Sequence, residues 1–157
     1  MDCKARLEQY FLDNGVGFQA MTHPAVYTAQ EVAAAQRVPG KQVAKVVMVL
    51  AGDQALMLVM PASFRIDFAK LKDALGAEEA RLAREKEFSD LFPDCDVGAM
   101  PPFGNLYNVP VYVDRVLTED AEIVFQAGTH RDTMKIAYRD YARLAQPVVA
   151  DFATHLQ

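Results

Sequence analysis

A chain of 157 residues in which 52% of positions are hydrophobic and 24% charged can bury roughly 70% of the surface its unfolded form exposes, which excludes a disordered or collagen-like chain. Sixteen Lys and Arg against 21 Asp and Glu leave a formal charge of −5; this argues against coating nucleic acid by bulk attraction but leaves room for a few basic groups around a cleft. No apolar run reaches the ~18–20 residues that span a bilayer, and the opening Met1-Asp2-Cys3-Lys4-Ala5-Arg6 lacks the apolar core of a secretory leader, so the expected setting is cytoplasmic, with no membrane partner.

In chain order, Leu7, Tyr10 and Phe11 recur at helical spacing over residues 4–13, and Asn14-Gly15 supplies the stop. Residues 16–21 alternate as a short strand and run into His23-Pro24, whose proline disfavours helix. Thr28-Ala29-Gln30-Glu31 has the spacing of a capping box; it opens an alanine-rich helix to Gln36, closed by Pro39-Gly40. Residues 43–50 and 55–60, valine-rich and apolar around Gly52-Asp53, predict a buried hairpin. Asp67 caps a predicted helix ending at Leu75-Gly76, and residues 85–91 predict another, stopped by Pro93.

Residues 93–110 hold Gly98, Pro101, Pro102 and Gly104 and predict an ordered, non-repeating loop. Strand character returns at 111–113, 122–126 and 133–138, with Gly128-Thr129 as a turn, and residues 141–144 form a closing helical turn before Pro147. No repeat or composition break divides the sequence. The expectation is a single α+β domain over residues 1–157, with a mixed, largely antiparallel sheet surrounded by helices.

Three features carry the chemistry. Lys45 interrupts an apolar strand on the face it shares with Val43 and Val47. A desolvated ammonium needs a partner. Its stem either snorkels to the sheet edge or meets a structural carboxylate, or the charge serves a bound phosphate or developing oxyanion. The second feature, Gly98-Ala99-Met100-Pro101-Pro102-Phe103-Gly104, combines stiff prolines with permissive glycines and either aims backbone amides into a cleft or forms a plain rigid turn. The third, Ala127-Gly128-Thr129-His130, puts a histidine at a hairpin tip, as a ligand or as an idle surface group. Cys3 and Cys95 stand far apart with no Cys-x-x-Cys spacing and read as free thiols. No serine elbow, phosphate loop, dinucleotide fingerprint or metal-binding pattern occurs, so no metal or cofactor is expected.

Taken in this order, the Lys45 strand, the Gly98-to-Gly104 loop and the His130 turn make the chain resemble the YbaK/ProX family of aminoacyl-tRNA deacylases, relatives of the editing domain inserted in bacterial prolyl-tRNA synthetases. The resemblance implies a trans-editing hydrolase that cleaves the ester joining a wrong amino acid to tRNA. It implies that Lys45, Gly104 and His130 act in catalysis, while Met21, Tyr27, Thr28, Val32, Pro102, Phe103, Gly128 and Thr129 bind substrate. Gly98-Ala99 stands where the cysteine-clearing branch has a glycine pair, and Asn105-Leu106-Tyr107 follows without a lysine. The chain therefore looks more like the alanine-clearing branch, acting on alanine attached to proline tRNA. Clearance of cysteine or serine, or noncatalytic binding of a tRNA end, is the alternative. The implied partners are the acceptor end of mischarged tRNA and prolyl-tRNA synthetase.

Overall fold

Asp2 starts the first helix, α1 (Cys3–Asp13), by accepting from the Ala5 amide at 2.7 Å, which satisfies one of the donors a helix start leaves unpaired. The coordinates are a computed structural model that describes residues 2–156; Met1 and Gln157, the ends of the expected domain, lie outside the described residues. Strand β1 (Gln19–Thr22) begins later than the predicted 16–21. In α2 (Ala29–Gln36) the Thr28 hydroxyl accepts from the Glu31 amide at 3.1 Å, as the capping spacing requires. The helix ends on Arg37 in the left-handed region, φ +55°, ahead of Pro39-Gly40.

The predicted hairpin is present as β2 (Ala44–Ala51) and β3 (Gln54–Pro61), antiparallel and turning at Gly52-Asp53. Strand β4 (Phe64–Ile66) follows, then α3 (Phe68–Leu75), capped by the Asp67 carboxylate on the Ala69 and Lys70 amides and closed by Gly76 at φ +62°. A two-residue β5 (Arg81–Leu82) leads to α4 (Glu85–Phe88); the rest of the helix predicted over 85–91 is a tighter 3₁₀ turn. After the loop come β6 (Val111–Asp114), β7 (Glu122–Gln126) and β8 (Asp132–Ala137). Helix α5 (Tyr138–Ala145) is longer than the predicted turn, and β9 (Val148–Ala150) and β10 (Ala153–His155) complete the chain.

The central sheet has the order β5-β2-β3-β6-β9, with β3, β6 and β9 mutually parallel and the other pairs antiparallel. A second, antiparallel sheet runs β1-β8-β7, and a single bridge between Val43 and Val124 ties the two together. Strands β4 and β10 form a separate ribbon. This is the expected α+β architecture, mixed and largely antiparallel.

Strand β3 shows why the centre reads as continuous apolar sequence. Met57 and Val59 enter one core with Leu7 and Phe11 of α1 and Tyr141 of α5, while Leu56, Leu58 and Met60 enter another with Leu71 of α3. A strand covered on both faces has no polar side to alternate with. Each such side chain, fully buried, contributes about 1.5–3 kcal/mol. At the start of β2 a third, smaller cluster joins Val43 to Val32 and Ala33 of α2 and to Val124. It seats α2 beside Lys45. Fully buried Asp114, at the end of β6, accepts from the amides of Val116 at 3.0 Å and of Phe152 and Ala153 at 2.9 Å, so the last segment is docked on a carboxylate. Among the described residues no helix is long and apolar enough to cross a membrane.

Candidate active site

Lys45 emerges from β2 into a cavity of about 120 Å³ lined by Tyr27, Ala29 and Val32 around the start of α2, by Val43, Ala44 and Val46 of β2, by Gly98 and Met100 of the loop, and by Gln126 of β7. Its ammonium is half-buried, and its nearest recorded partner is the Ala62 carbonyl at 3.4 Å. Burial holds the Lys45 ammonium below the ordinary lysine range, with no carboxylate among the described residues acting against that shift. Neither a structural ion pair nor escape into solvent describes this side chain. A partly desolvated cation with unused donors is what an incoming anion or carbonyl oxygen would meet.

The loop reaches the cavity through its first half. Gly98 has φ +86°, a backbone region that disfavours any side chain, and a Cβ there would meet only His130 Cε1 at 3.5 Å, an ordinary contact. Dihedral angle, not crowding, calls for glycine. The hairpin turn holds this backbone: the Asp96 amide donates to the Gly128 carbonyl at 2.8 Å, and the Gly128 amide donates to the Ala99 carbonyl at 2.9 Å. Among the described residues, the amides of Gly98 and Met100 donate to no backbone carbonyl.

The second half of the loop turns inward. Phe103 is fully buried, with its ring 5.5 Å from Phe11, 5.7 Å from Phe125 and 5.3 Å from Tyr141; it is a core residue and not a cavity wall. Pro102 is buried beside it. A Cβ on Gly104 would stand 2.7 Å from the Val109 carbonyl oxygen and 2.9 Å from Val111 Cγ2. Close packing, away from the cavity lining, therefore accounts for that glycine.

His130 sits behind the lining. Its ring packs on Tyr27, its Nε2 lies 3.1 Å from the Val97 carbonyl oxygen, and its buried Nδ1 has no partner among the described residues. Thr129 is occupied in the turn, donating from its hydroxyl to Asp132 at 2.7 Å and accepting from the Arg131 and Asp132 amides. Gly128 presses on α1, where a Cβ would come within 2.6 Å of Cys3. Thr28 serves as the α2 cap, and Met21 pairs with Thr133 across β1 and β8; neither lines the cavity. Of the expected site residues, the cavity thus gathers Lys45, Tyr27 and Val32. To these the structure adds Met100 and Gln126, whose Nε2 is buried without an acceptor among the described residues.

A model of the aminoacyl-tRNA editing domain matches residues 23–144. The multifunctional Ser/Thr-tRNA deacylase ProXp-y of Escherichia coli K12 is 30% identical over 152 residues, which cover 94% of this chain and 90% of that protein. The proline–tRNA ligase of Thiobacillus denitrificans is 28% identical over 131 residues, 82% of this chain and 22% of the ligase. Among solved structures, hypothetical protein APE2540 has a TM-score of 0.85 at 24% identity, covering 95% of this chain and 99% of that one. A structure assigned provisionally as a trans-editing enzyme for prolyl tRNA synthetase has a TM-score of 0.84 at 24% identity, covering 98% of each chain. These likenesses span the elements that build the Lys45 cavity, and the chain belongs to the aminoacyl-tRNA editing domain family.

Proposed function

We propose that this chain is a trans-editing deacylase that hydrolyses the ester of mischarged aminoacyl-tRNA, with alanine on proline tRNA as its target. The observation that carries the reading is the half-buried Lys45 ammonium, without a carboxylate partner among the described residues, at a small cavity walled by α2 and the glycine loop. An aminoacyl ester is already activated. Cleavage needs a positioned water or ribose hydroxyl and stabilisation of the tetrahedral oxyanion, not a covalent nucleophile. In this reading Lys45 holds the terminal phosphate or the reacting ester, and the amides of Gly98 and Met100 orient the carbonyl. Val32 and Ala29 limit the size of the amino acid admitted.

A second reading, deacylation of seryl- or threonyl-tRNA, is favoured by Gln126. Its unpaired Nε2 at the cavity wall would find an acceptor in a substrate hydroxyl, and the E. coli relative carries that activity in its name. The net charge of −5 weakens unaided capture of tRNA, so delivery by prolyl-tRNA synthetase forms part of the proposal. The test is a panel of preformed alanyl-, seryl-, threonyl- and cysteinyl-tRNAs, followed for ester loss with wild type and Lys45→Ala. Fastest loss of alanine, abolished in the folded variant, is the expected result. Preference for serine or threonine selects the second reading. No hydrolysis of any ester leaves a noncatalytic tRNA-end binding module.

A further inference from the structure

Away from the cavity, the start of α1 and the start of the loop bring the two cysteines together. Cys3 Sγ, Cys95 Sγ and a carboxylate oxygen of Asp94 lie within 4.8 Å of one another. Tyr107 completes the group: its hydroxyl oxygen is 3.5 Å from Cys3 Sγ, 3.2 Å from Cys95 Sγ and 2.8 Å from Asp94 Oδ1. Zinc bonds of about 2.3 Å to sulfur and about 2.0 Å to oxygen place tetrahedral ligand atoms roughly 3.3–3.8 Å apart. The sulfur–oxygen separations of 3.2, 3.5 and 3.6 Å are near ligand spacing, whereas the Tyr107 hydroxyl donates a hydrogen bond to Asp94 at 2.8 Å, a pair that coordination would open by about half an ångström.

Charge and support agree with this geometry. Two thiolates and one carboxylate, set against a divalent cation and the Arg6 guanidinium 3.7 Å from Asp94 Oδ2, sum to neutrality. Arg6 occupies the carboxylate oxygen that faces away from the thiols and also lies over the Tyr107 ring, 4.6 Å from its centroid; ligating carboxylates are commonly held by such outer partners. The Cys3 amide donates to the Asp94 carbonyl at 3.2 Å, which fixes the two backbones side by side. Cys3 is buried and Cys95 only half-buried, so an ion has a path in.

We propose that Cys3, Asp94, Cys95 and Tyr107 form a zinc site that clamps the start of α1 to the segment leading into Gly98. Binding exchanges two thiol protons for the ion: Zn²⁺ and two S–H groups give two Zn–S bonds and two protons released to water, with no change of oxidation state. Tyr107 coordinates as the neutral phenol through its oxygen lone pair.

The test uses the full chain, reduced and freed of metal, titrated with Co²⁺ and then Zn²⁺. One equivalent of Co²⁺ is expected to give the near-ultraviolet thiolate-to-cobalt band and the visible bands of a tetrahedral ion, and one equivalent of Zn²⁺ to abolish both. In competition with a chromophoric chelator, Cys95→Ser should lower Zn²⁺ affinity at least about 100-fold and Tyr107→Phe about tenfold, each with an unchanged circular dichroism spectrum. In the unmutated protein, Zn²⁺ should protect Cys95 from alkylation. Absence of the thiolate band, its survival in Cys95→Ser, or equal alkylation with and without Zn²⁺ overturns the site. A disulfide between Cys3 and Cys95 in a protein that takes up no metal when reduced overturns it equally.

Discussion

Tyr27 rests on His130 with ring centroids 4.6 Å apart and planes inclined by 41°. Tyr27 lines the cavity and His130 contacts the Val97 carbonyl, so this pair joins the α2 wall to the glycine loop. We propose that His130 is a positioning residue in this geometry. Aromatic pairs of this kind are worth about 0.5–1.5 kcal/mol, so His130→Ala should lower kcat/KM for the preferred aminoacyl-tRNA by roughly tenfold. Tyr27→Ala should do the same and the double variant little more, because the two act as one contact. Losses that multiply in the double variant would show that His130 acts on the substrate directly.

Lys45 is the residue with the largest expected effect. Removing one preorganised electrostatic group from a water-poor site costs about 10²–10³ in kcat, and Lys45→Met is expected to lose that much in single-turnover deacylation. Thermal unfolding should show the variant no less stable than wild type, since methionine keeps the stem and removes the desolvated charge. A variant that unfolds earlier would indicate a structural lysine instead.

The same burial sets a pH dependence. With its folded pKa below its unfolded one, Lys45 binds fewer protons in the native state between those two values, so its contribution to stability rises with pH across that window. Activity moves the opposite way. Enzymatic deacylation, corrected for spontaneous ester hydrolysis, should decline on the basic side at a pH below the ordinary lysine value, and Lys45→Arg should move that limb upward. A basic limb at the ordinary lysine value would disconnect it from this residue.

Gly104→Ala separates packing from chemistry. The added Cβ meets the Val109 carbonyl oxygen at 2.7 Å and Val111 Cγ2 at 2.9 Å, and overpacking of this kind costs typically about 1–3 kcal/mol. The melting temperature should fall by several degrees, at about 2–4 °C per kcal/mol for a chain of this size. The kcat of the folded fraction should stay within about twofold of wild type, since neither Gly104 nor Val109 or Val111 lines the cavity. A large drop in kcat at unchanged stability would return Gly104 to the reacting centre.

Val32, fully buried in the α2 wall, is the proposed size gauge. Val32→Ala should shift relative kcat/KM from alanyl- towards threonyl-tRNA by about 10–200-fold, the range that one methylene or so commands in an apolar pocket. An unchanged ratio would remove α2 from substrate selection.

Elements with both a pattern and a cap were legible from sequence. Asp67 and Gly76 bracket α3, Thr28 opens α2, and Gly52-Asp53 turns the central hairpin. The sequence predicts only a turn where α5 lies, because Ala137 supplies no side-chain cap and Tyr138 looks like the end of the preceding strand. Strands β4, β9 and β10 have three residues each, too few for alternation to register; long-range pairing creates them. Within the site, Lys45 stood out because a charge in an apolar strand is locally anomalous. The loop offered no such guide: without periodicity, nothing distinguished Gly98 and Met100, which face the cavity, from Phe103 and Gly104, which face the core. Gln126 ends a strand, where a polar residue attracts no notice until the fold places it at the cavity wall. Cys3 and Cys95, far apart in sequence, meet where the Cys3 amide donates to the Asp94 carbonyl, a long-range contact with no local signal.

Asp114 bears on how this protein can be handled. Two of its three backbone donors come from Phe152 and Ala153, and the Phe152 carbonyl accepts from the Asp67 amide that opens α3. Trimming the chain after Asp151 would strand an enclosed carboxylate and unfasten that helix start together, whereas a purification tag appended to the tail leaves both intact. Shortened versions made to aid crystallisation should therefore spare Phe152 and the last strand, whose removal leaves a buried carboxylate short of donors.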